Sequence, residues 1–366
     1  MVDIRSTPDS GGGRAGVPSR RALLRGSGLA AAGLAGVATT TMLDPTAAHA
    51  APVGPWEYVA PGASIQSAIS SGAKAIQLGA GRYTITTPIA PTPGCTIRGV
   101  GQRTEILAGA AMASMIEIGG GNPVDGVYIG DLVLDCASKA TNGIDLNIVG
   151  TTGNYKGEPD SMCRLDNLWV YNPVLDGIVY RGSDTQATST SRVRVRGAGQ
   201  YGFHVNAPDN WWTACEATTR ASTGANAGFY IGANAANNFF QACKAWYVRG
   251  YGWHVRSTRN KFVGCEAQDT KAHGWYVEWD RNTFVGCVAD TAGMYDVSGT
   301  PNTADGFYLA PGLETALVGC QAFDRRPGGH AAQQRYGFNV PAGMVSSGRL
   351  AAPTGWDNTS GLINQR

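Results

Sequence analysis

The chain has 366 residues, 29 basic and 27 acidic side chains, a formal net charge of +2, 51 glycines and eight cysteines. A charge this close to balance excludes nucleic acid as a main partner, since phosphate recognition needs a basic face. No stretch beyond the first fifty residues approaches the roughly 18 apolar residues of a membrane span, and the length suits two ordinary domains or one long repeat domain.

Residues 1–50 do not read as part of a fold. A polar stretch leads to Ser19-Arg20-Arg21-Ala22-Leu23-Leu24, then to a weakly apolar Ala/Gly/Leu run, then to Ala48-His49-Ala50, small residues where a signal peptidase cuts. This order resembles a bacterial twin-arginine signal peptide. The resemblance implies a secreted protein, exported folded, and cleavage after Ala50 would leave 316 residues with 24 basic and 24 acidic side chains. No Pro/Ser-rich or charged linker divides the remainder. Residues 51–345 therefore read as a single domain, with a tail or cap over 346–366.

In chain order, Ser64-Ile-Gln-Ser-Ala-Ile69 predicts a short helix. Ala75-Ile-Gln-Leu-Gly-Ala-Gly-Arg-Tyr-Thr-Ile-Thr86 and Cys95-Thr-Ile-Arg-Gly-Val-Gly101 predict strands broken by glycine turns. Gly143-Ile144 and Gly177-Ile178 open degenerate copies of a unit that becomes plain further on. Arg-Asn-x-Phe-Val-Gly-Cys occurs at 259–265 and again at 281–287, and cysteine recurs at 215, 243, 265, 287 and 320. An asparagine stands five residues before the first four of these, at Asn210, Asn238, Asn260 and Asn282. After each cysteine comes a Gly-aromatic pair, at 228, 252, 274, 306 and 337, with one more at 202.

A unit of 22 to 33 residues predicts a solenoid. Its apolar runs are short, rich in aromatic and β-branched residues, and broken by Gly, Asn and Asp, with no helical period. The expected fold is all-β: a single-domain right-handed parallel β-helix of about eleven coils, about 4.8 Å apart, with an N-terminal capping helix. The Asn column is then structural, and the aromatic column fills the core. Eight cysteines in an exported chain invite disulfides, but in-register side chains point the same way, against the torsion a disulfide requires. The expectation is an inward stack of free thiols. With no C-x-x-C pair in the ladder, a metal is not expected.

The Ile-Gln-x-Ala-Ile helix, the Gly-x-Tyr-x-Ile coil and the Thr-Ile-x-Gly coil resemble the opening of the pectate-lyase-like superfamily of right-handed β-helices, and the likeness runs over residues 60–340. The resemblance implies a polysaccharide or oligosaccharide lying in a groove along the coils, and a glycoside hydrolase, polysaccharide lyase or fructotransferase type of activity. Leu132-Val-Leu-Asp135 with Asn142-Gly-Ile-Asp145 is faintly similar to a segment of inulin fructotransferases. The Asn-Thr-Asp, Asp-Asp, Gly-His-Gly and Asp-Pro-His signatures of other branches are missing, and so no single reaction is implied.

Chemistry is therefore sought in columns. In Gly-aromatic-x-Val the middle x points outward, which gives His204, Tyr230, His254, Tyr276 and Tyr308, and two residues on come Arg256 and Glu278. His273 and Asp305 precede their glycines one coil apart, and the carboxylate is expected to raise the imidazole pKa and make an exposed acid/base pair. The expected catalytic set is Asp305, Glu278, His273 and His254, and Tyr230, Tyr276, Tyr308, Arg256 and Trp279 are expected to bind substrate. Trp211, Trp212 and Trp246 are candidate extensions. Rings offer flat apolar faces and polar tips to sugars, though stacked rings also stabilise adjacent coils. No cofactor is expected. Calcium is the open alternative, through Asp269, Asp290 and Asp296, although no loop obviously supplies six to eight oxygens. The alternative function is a non-catalytic, glycan-binding or adhesive β-helix.

Overall fold

The computed structural model describes residues 56–150, 161–220, 226–293, 303–310, 314–325 and 331–366. The expected signal peptide and Asp296 lie outside them. Pro52–Arg366 forms one compact unit, a parallel β-helix.

The coil that begins at Asn260 shows the plan. Lys261–Val263 runs to Gly264, where φ is +59°, and Glu266–Thr270 then leaves the corner. Trp275–Val277 closes the coil on a second sheet. Each strand pairs in parallel with its equivalent one coil away, as Phe240 with Phe262 and Phe262 with Phe284, and Ala245 with Ala267 and Ala267 with Ala289. Among the described residues the second sheet has ten strands, and an isolated bridge from Ile89 to Ile116 adds an eleventh rung.

Sequence dictates this cross-section through its smallest residues. A Cβ at Gly252 would lie 2.6 Å from the Ala267 Cβ and 2.6 Å from the Gly274 carbonyl oxygen. Only glycine fits before each aromatic, and alanine faces it at 217, 245, 267, 289 and 322. Beside this narrow waist two ring columns fill the core. Phe203, Phe229, Trp253, Trp275, Phe307 and Phe338 stack on the ten-stranded side with centroids 4.0 to 5.6 Å apart. Trp212, Phe240, Phe262 and Phe284 stack opposite them, and the two columns meet edge to face. Such pairs contribute about 0.5–1.5 kcal/mol each beyond burial. Trp212 is thus a core residue, not a groove residue, and Trp211 and Trp246 lie on the other sheet.

The Asn column is a hydrogen-bond ladder. The backbone N–H of Asn210 donates to Asn238 Oδ1 at 2.8 Å, Asn238 to Asn260 at 2.9 Å, and Asn260 to Asn282 at 2.9 Å. Thr188 and Thr315 extend it at either end. All eight cysteines are free and buried, and thiols such as Cys243 donate to the carbonyl two residues back. Burial pushes the Cys136 thiol up to about 12 and Cys163 to about 11, which leaves them unreactive.

Helix Ile65–Ser70 buries Ile65, Ala68 and Ile69, and its Ser64 cap accepts the Ser67 N–H. At the other end, 346–366 is more than a tail: Leu350–Ala351 and Gly361–Gln365 continue both ladders.

Asn282 Nδ2 also donates to the carbonyls of Ser257 and Trp279. Asn282→Ala should therefore cost at least about 2 kcal/mol, since it orphans the Asn260 N–H and the Ser257 carbonyl and each such buried group costs about 1–3 kcal/mol; a thermal-melt loss below about 1 kcal/mol would show the ladder to be incidental. Denatured protein should titrate all eight thiols without reductant, and a titre near zero would mean disulfides instead.

Candidate active site on the ten-stranded sheet

The outward column falls as the sequence places it. His204 pairs with Tyr230, Tyr230 with His254, His254 with Tyr276, and Tyr276 with Tyr308. Asp145 and Val179 extend it one way and Asn339 the other.

Glu278 is gripped from the preceding coil. His254 Nε2–H donates to its Oε1 at 3.0 Å and Arg256 Nε–H to its Oε2 at 2.9 Å, and a second Arg256 nitrogen donates to the Tyr230 oxygen at 3.1 Å. Burial alone would raise the Glu278 carboxyl, but the bonds from His254 and Tyr276 and the charge of Arg256 outweigh it and hold the group low. Burial pushes His254 down, and its Nδ1 is enclosed without a partner among the described residues. Tyr276 is pushed up to about 12 by burial and by Glu278. These directions favour the neutral form of His254 and the ionised form of Glu278. Trp279 stands exposed at the rim.

His273 and Asp305 depart from expectation. Asp305 is fully buried instead of exposed, because Arg335 of the next coil clamps both its oxygens at 2.8 and 2.6 Å. Asn339 and the Tyr336 N–H take its remaining lone pairs. His273 Nδ1 accepts the Asp305 backbone N–H at 2.9 Å, while the carboxylate stays 3.7 Å away. Burial drives His273 down to about 4, with Arg335 and Arg366 adding to it and Asp305 opposing. The shift is opposite in sign to the expected one, since desolvation and two guanidiniums outweigh a carboxylate already neutralised by Arg335.

The pair that sequence reading missed is His204 with Asp176. The buried Asp176 accepts the Tyr201 N–H at 3.0 Å through Oδ1 and His204 Nδ1–H at 2.9 Å through Oδ2. A carboxylate only accepts, so Nδ1 carries a proton, and in the neutral ring Nε2 presents a lone pair. His204 is 30% exposed, and no described residue bonds its Nε2. The signal was present: Asp176 precedes Gly177 as Asp305 precedes Gly306, but it stands in a coil without the cysteine marker.

The surrounding rings stack on one another, Tyr201 on Tyr230 at 4.4 Å, Tyr251 on Tyr276 at 4.9 Å and His273 on Tyr308 at 4.7 Å. Each of these stacks covers one face of each ring. Among the described residues no group of three His, Cys, Asp or Glu side chains could hold a metal. Of the carboxylates weighed for calcium, Asp269 accepts from Gln268 and Asp290 from Thr291.

A histidine buried neutral binds fewer protons folded than unfolded, so its stabilisation is present above the unfolded value near 6.5 and is lost as pH falls toward 4. The melting temperature should fall over that window, and His273→Gln should lessen the fall. An unchanged pH profile in His273→Gln would remove His273 as a cause.

A family model described as a right handed beta helix region matches residues 154–309, less than half of the chain. No curated protein matches the sequence. Among solved structures, the enzymatically active domain of bacteriophage CBA120 tailspike protein 2 aligns with a TM-score of 0.61 at 14% identity over 75% of this chain, which spans only 44% of that one. The A-module of Azotobacter vinelandii mannuronan C-5 epimerase AlgE4 aligns with a TM-score of 0.56 at 13% identity, over 84% of this chain and 97% of that one. What these likenesses establish is the fold, a right-handed parallel β-helix.

Proposed function

We propose that the protein is a secreted carbohydrate-active enzyme that holds a polysaccharide along the ten-stranded sheet and moves a proton on it through His204. The observation that carries this reading is the oriented His204–Asp176 pair, with its open ring nitrogen beside Tyr201 and Tyr230. Asp176 fixes the tautomer and would stabilise the imidazolium that forms. Arg256 reaches the same place through the Tyr230 oxygen.

Hydrolysis by two carboxylates is the weaker fit, because Glu278 is fully bonded and Asp305 is buried under Arg335. A base, tyrosine hydroxyls and a guanidinium suit abstraction of the proton beside a uronate carboxylate. His204 Nε2 takes that ring proton, the electron pair forms the ring double bond, and the glycosidic bond to the neighbouring carbon breaks. The leaving oxygen takes a proton from a tyrosine hydroxyl. Return of a proton to the opposite face, without cleavage, would invert the carbon. One fold neighbour is named for epimerisation of mannuronan, which puts uronate polymers first for testing.

Purified protein should be given alginate, pectate and inulin while unsaturated uronate, reducing ends and epimer composition are recorded. Turnover of a uronate polymer is expected, and His204→Ala and Asp176→Asn should each lower kcat at least about 10²-fold. Full activity in His204→Ala would move the chemistry elsewhere. Binding without turnover, lost in Tyr230→Ala, would replace the enzyme with a glycan-binding protein.

A further inference from the structure

A cleft of about 540 Å³ opens on the first coils, on the other sheet from the candidate active site. Its size lies within the range of small-ligand sites. Gly79, Gly99 and Gly101 are among the residues that line it. Tyr58 lies over Gly79, where any Cβ would overlap the phenol, and a Cβ at Gly99 would overlap the Asp131 carbonyl.

Two guanidiniums line this space. Arg98 donates through Nε to Asp131 Oδ2 at 2.8 Å, and Asp131 Oδ1 accepts Asn167 Nδ2 at 2.6 Å. The carboxylate is therefore occupied on both oxygens and serves to aim Arg98. No described residue bonds the two terminal nitrogens of Arg98, and none bonds the exposed Arg103 guanidinium. With one acid already paired, the cleft retains an excess of positive charge and free forked donors, which match a carboxylate or sulfate geometrically.

We infer that this cleft binds an oxyanion carried on a sugar ring, a uronate carboxylate or a sulfate ester, held by Arg98 and Arg103 with the ring against Tyr58. Tyr58 is 44% exposed, which leaves apolar ring surface for a sugar to lie against. A flat base is a poorer match, because only one aromatic ring lines the cleft and a base gains most when sandwiched. The site stands apart from His204 and does not depend on the proposed reaction.

The test is calorimetric titration of the full chain with methyl glucuronide, glucose 6-sulfate, inorganic sulfate and methyl glucoside. The two charged sugars should bind and methyl glucoside should not, with affinity falling as salt is added. Arg98→Ala and Arg103→Ala should each weaken binding at least about tenfold, whereas Arg82→Ala, whose side chain pairs with Glu105 outside the cleft, should not. Arg103 is exposed, so its variant keeps the fold. His204→Ala should bind as the native chain does, which separates this site from the proposed active site. Equal binding by methyl glucoside, no binding by either charged sugar, or full affinity in Arg103→Ala would overturn the inference. Inorganic sulfate binding as tightly as the sugar sulfate would overturn the sugar part, leaving a plain anion site.

Discussion

Everything in this molecule depends on one coil lying in register on the next, and the hydrogen bond from a backbone N–H to an asparagine Oδ1 enforces it. A slip of one residue would turn every inward side chain outward, carrying Phe262 and Trp275 into solvent and Tyr276 and Glu278 into the core. The ladder from Asn210 to Asn282 forbids this, because each amide is enclosed and must find its partner in the adjacent coil. The glycine and alanine waist adds a steric check, since only coils aligned as Gly252 is with Gly274 and Ala267 can close to this distance. Polar and steric constraints therefore select the same alignment.

That alignment turns local sequence into a site. Asp176 and Asp305 stand at equivalent places before a glycine, and both accept the backbone N–H of a tyrosine one coil on, Tyr201 and Tyr336. Each also holds the side chain at the outward position of that next coil. For Asp305 this is Asn339, which together with Arg335 makes a sealed anchor. For Asp176 it is His204, whose second nitrogen stays open. The same backbone device is a sealed brace in one coil and holds an oriented imidazole in another, and a single side chain decides which.

Much of this was legible in sequence, for a physical reason. Period, glycine position and the alternation of inward and outward residues are backbone properties, so the Asn and Cys columns, the outward column from His204 to Tyr308 and the capping helix all follow from spacing. Charge pairing was not legible. Nothing local to Asp305 shows that Arg335, thirty residues on, folds over it, and without that neutralisation the sign of the His273 shift reads backwards. Trp212 and Trp211 are adjacent, and only the strand register tells the buried ring from the exposed one. Asp176 was hidden because its coil lacks the cysteine by which the others were aligned.

The ring columns bear on what this face can do. Rings that stack along the axis at 4.4 to 4.9 Å cover one face of each other, and this makes the wall stiff. A binder relying on sugar stacking would need the opposite arrangement, with faces turned outward. A catalyst gains from it, because rigid neighbours hold an imidazole within the narrow geometry that proton transfer needs. His204 lies edge-on to both Tyr201 and Tyr230, with Asp176 behind it, so its ring is fixed on three sides and open on the fourth. Stiffness in the wall and freedom at one nitrogen are the two features on which the proposed proton transfer rests.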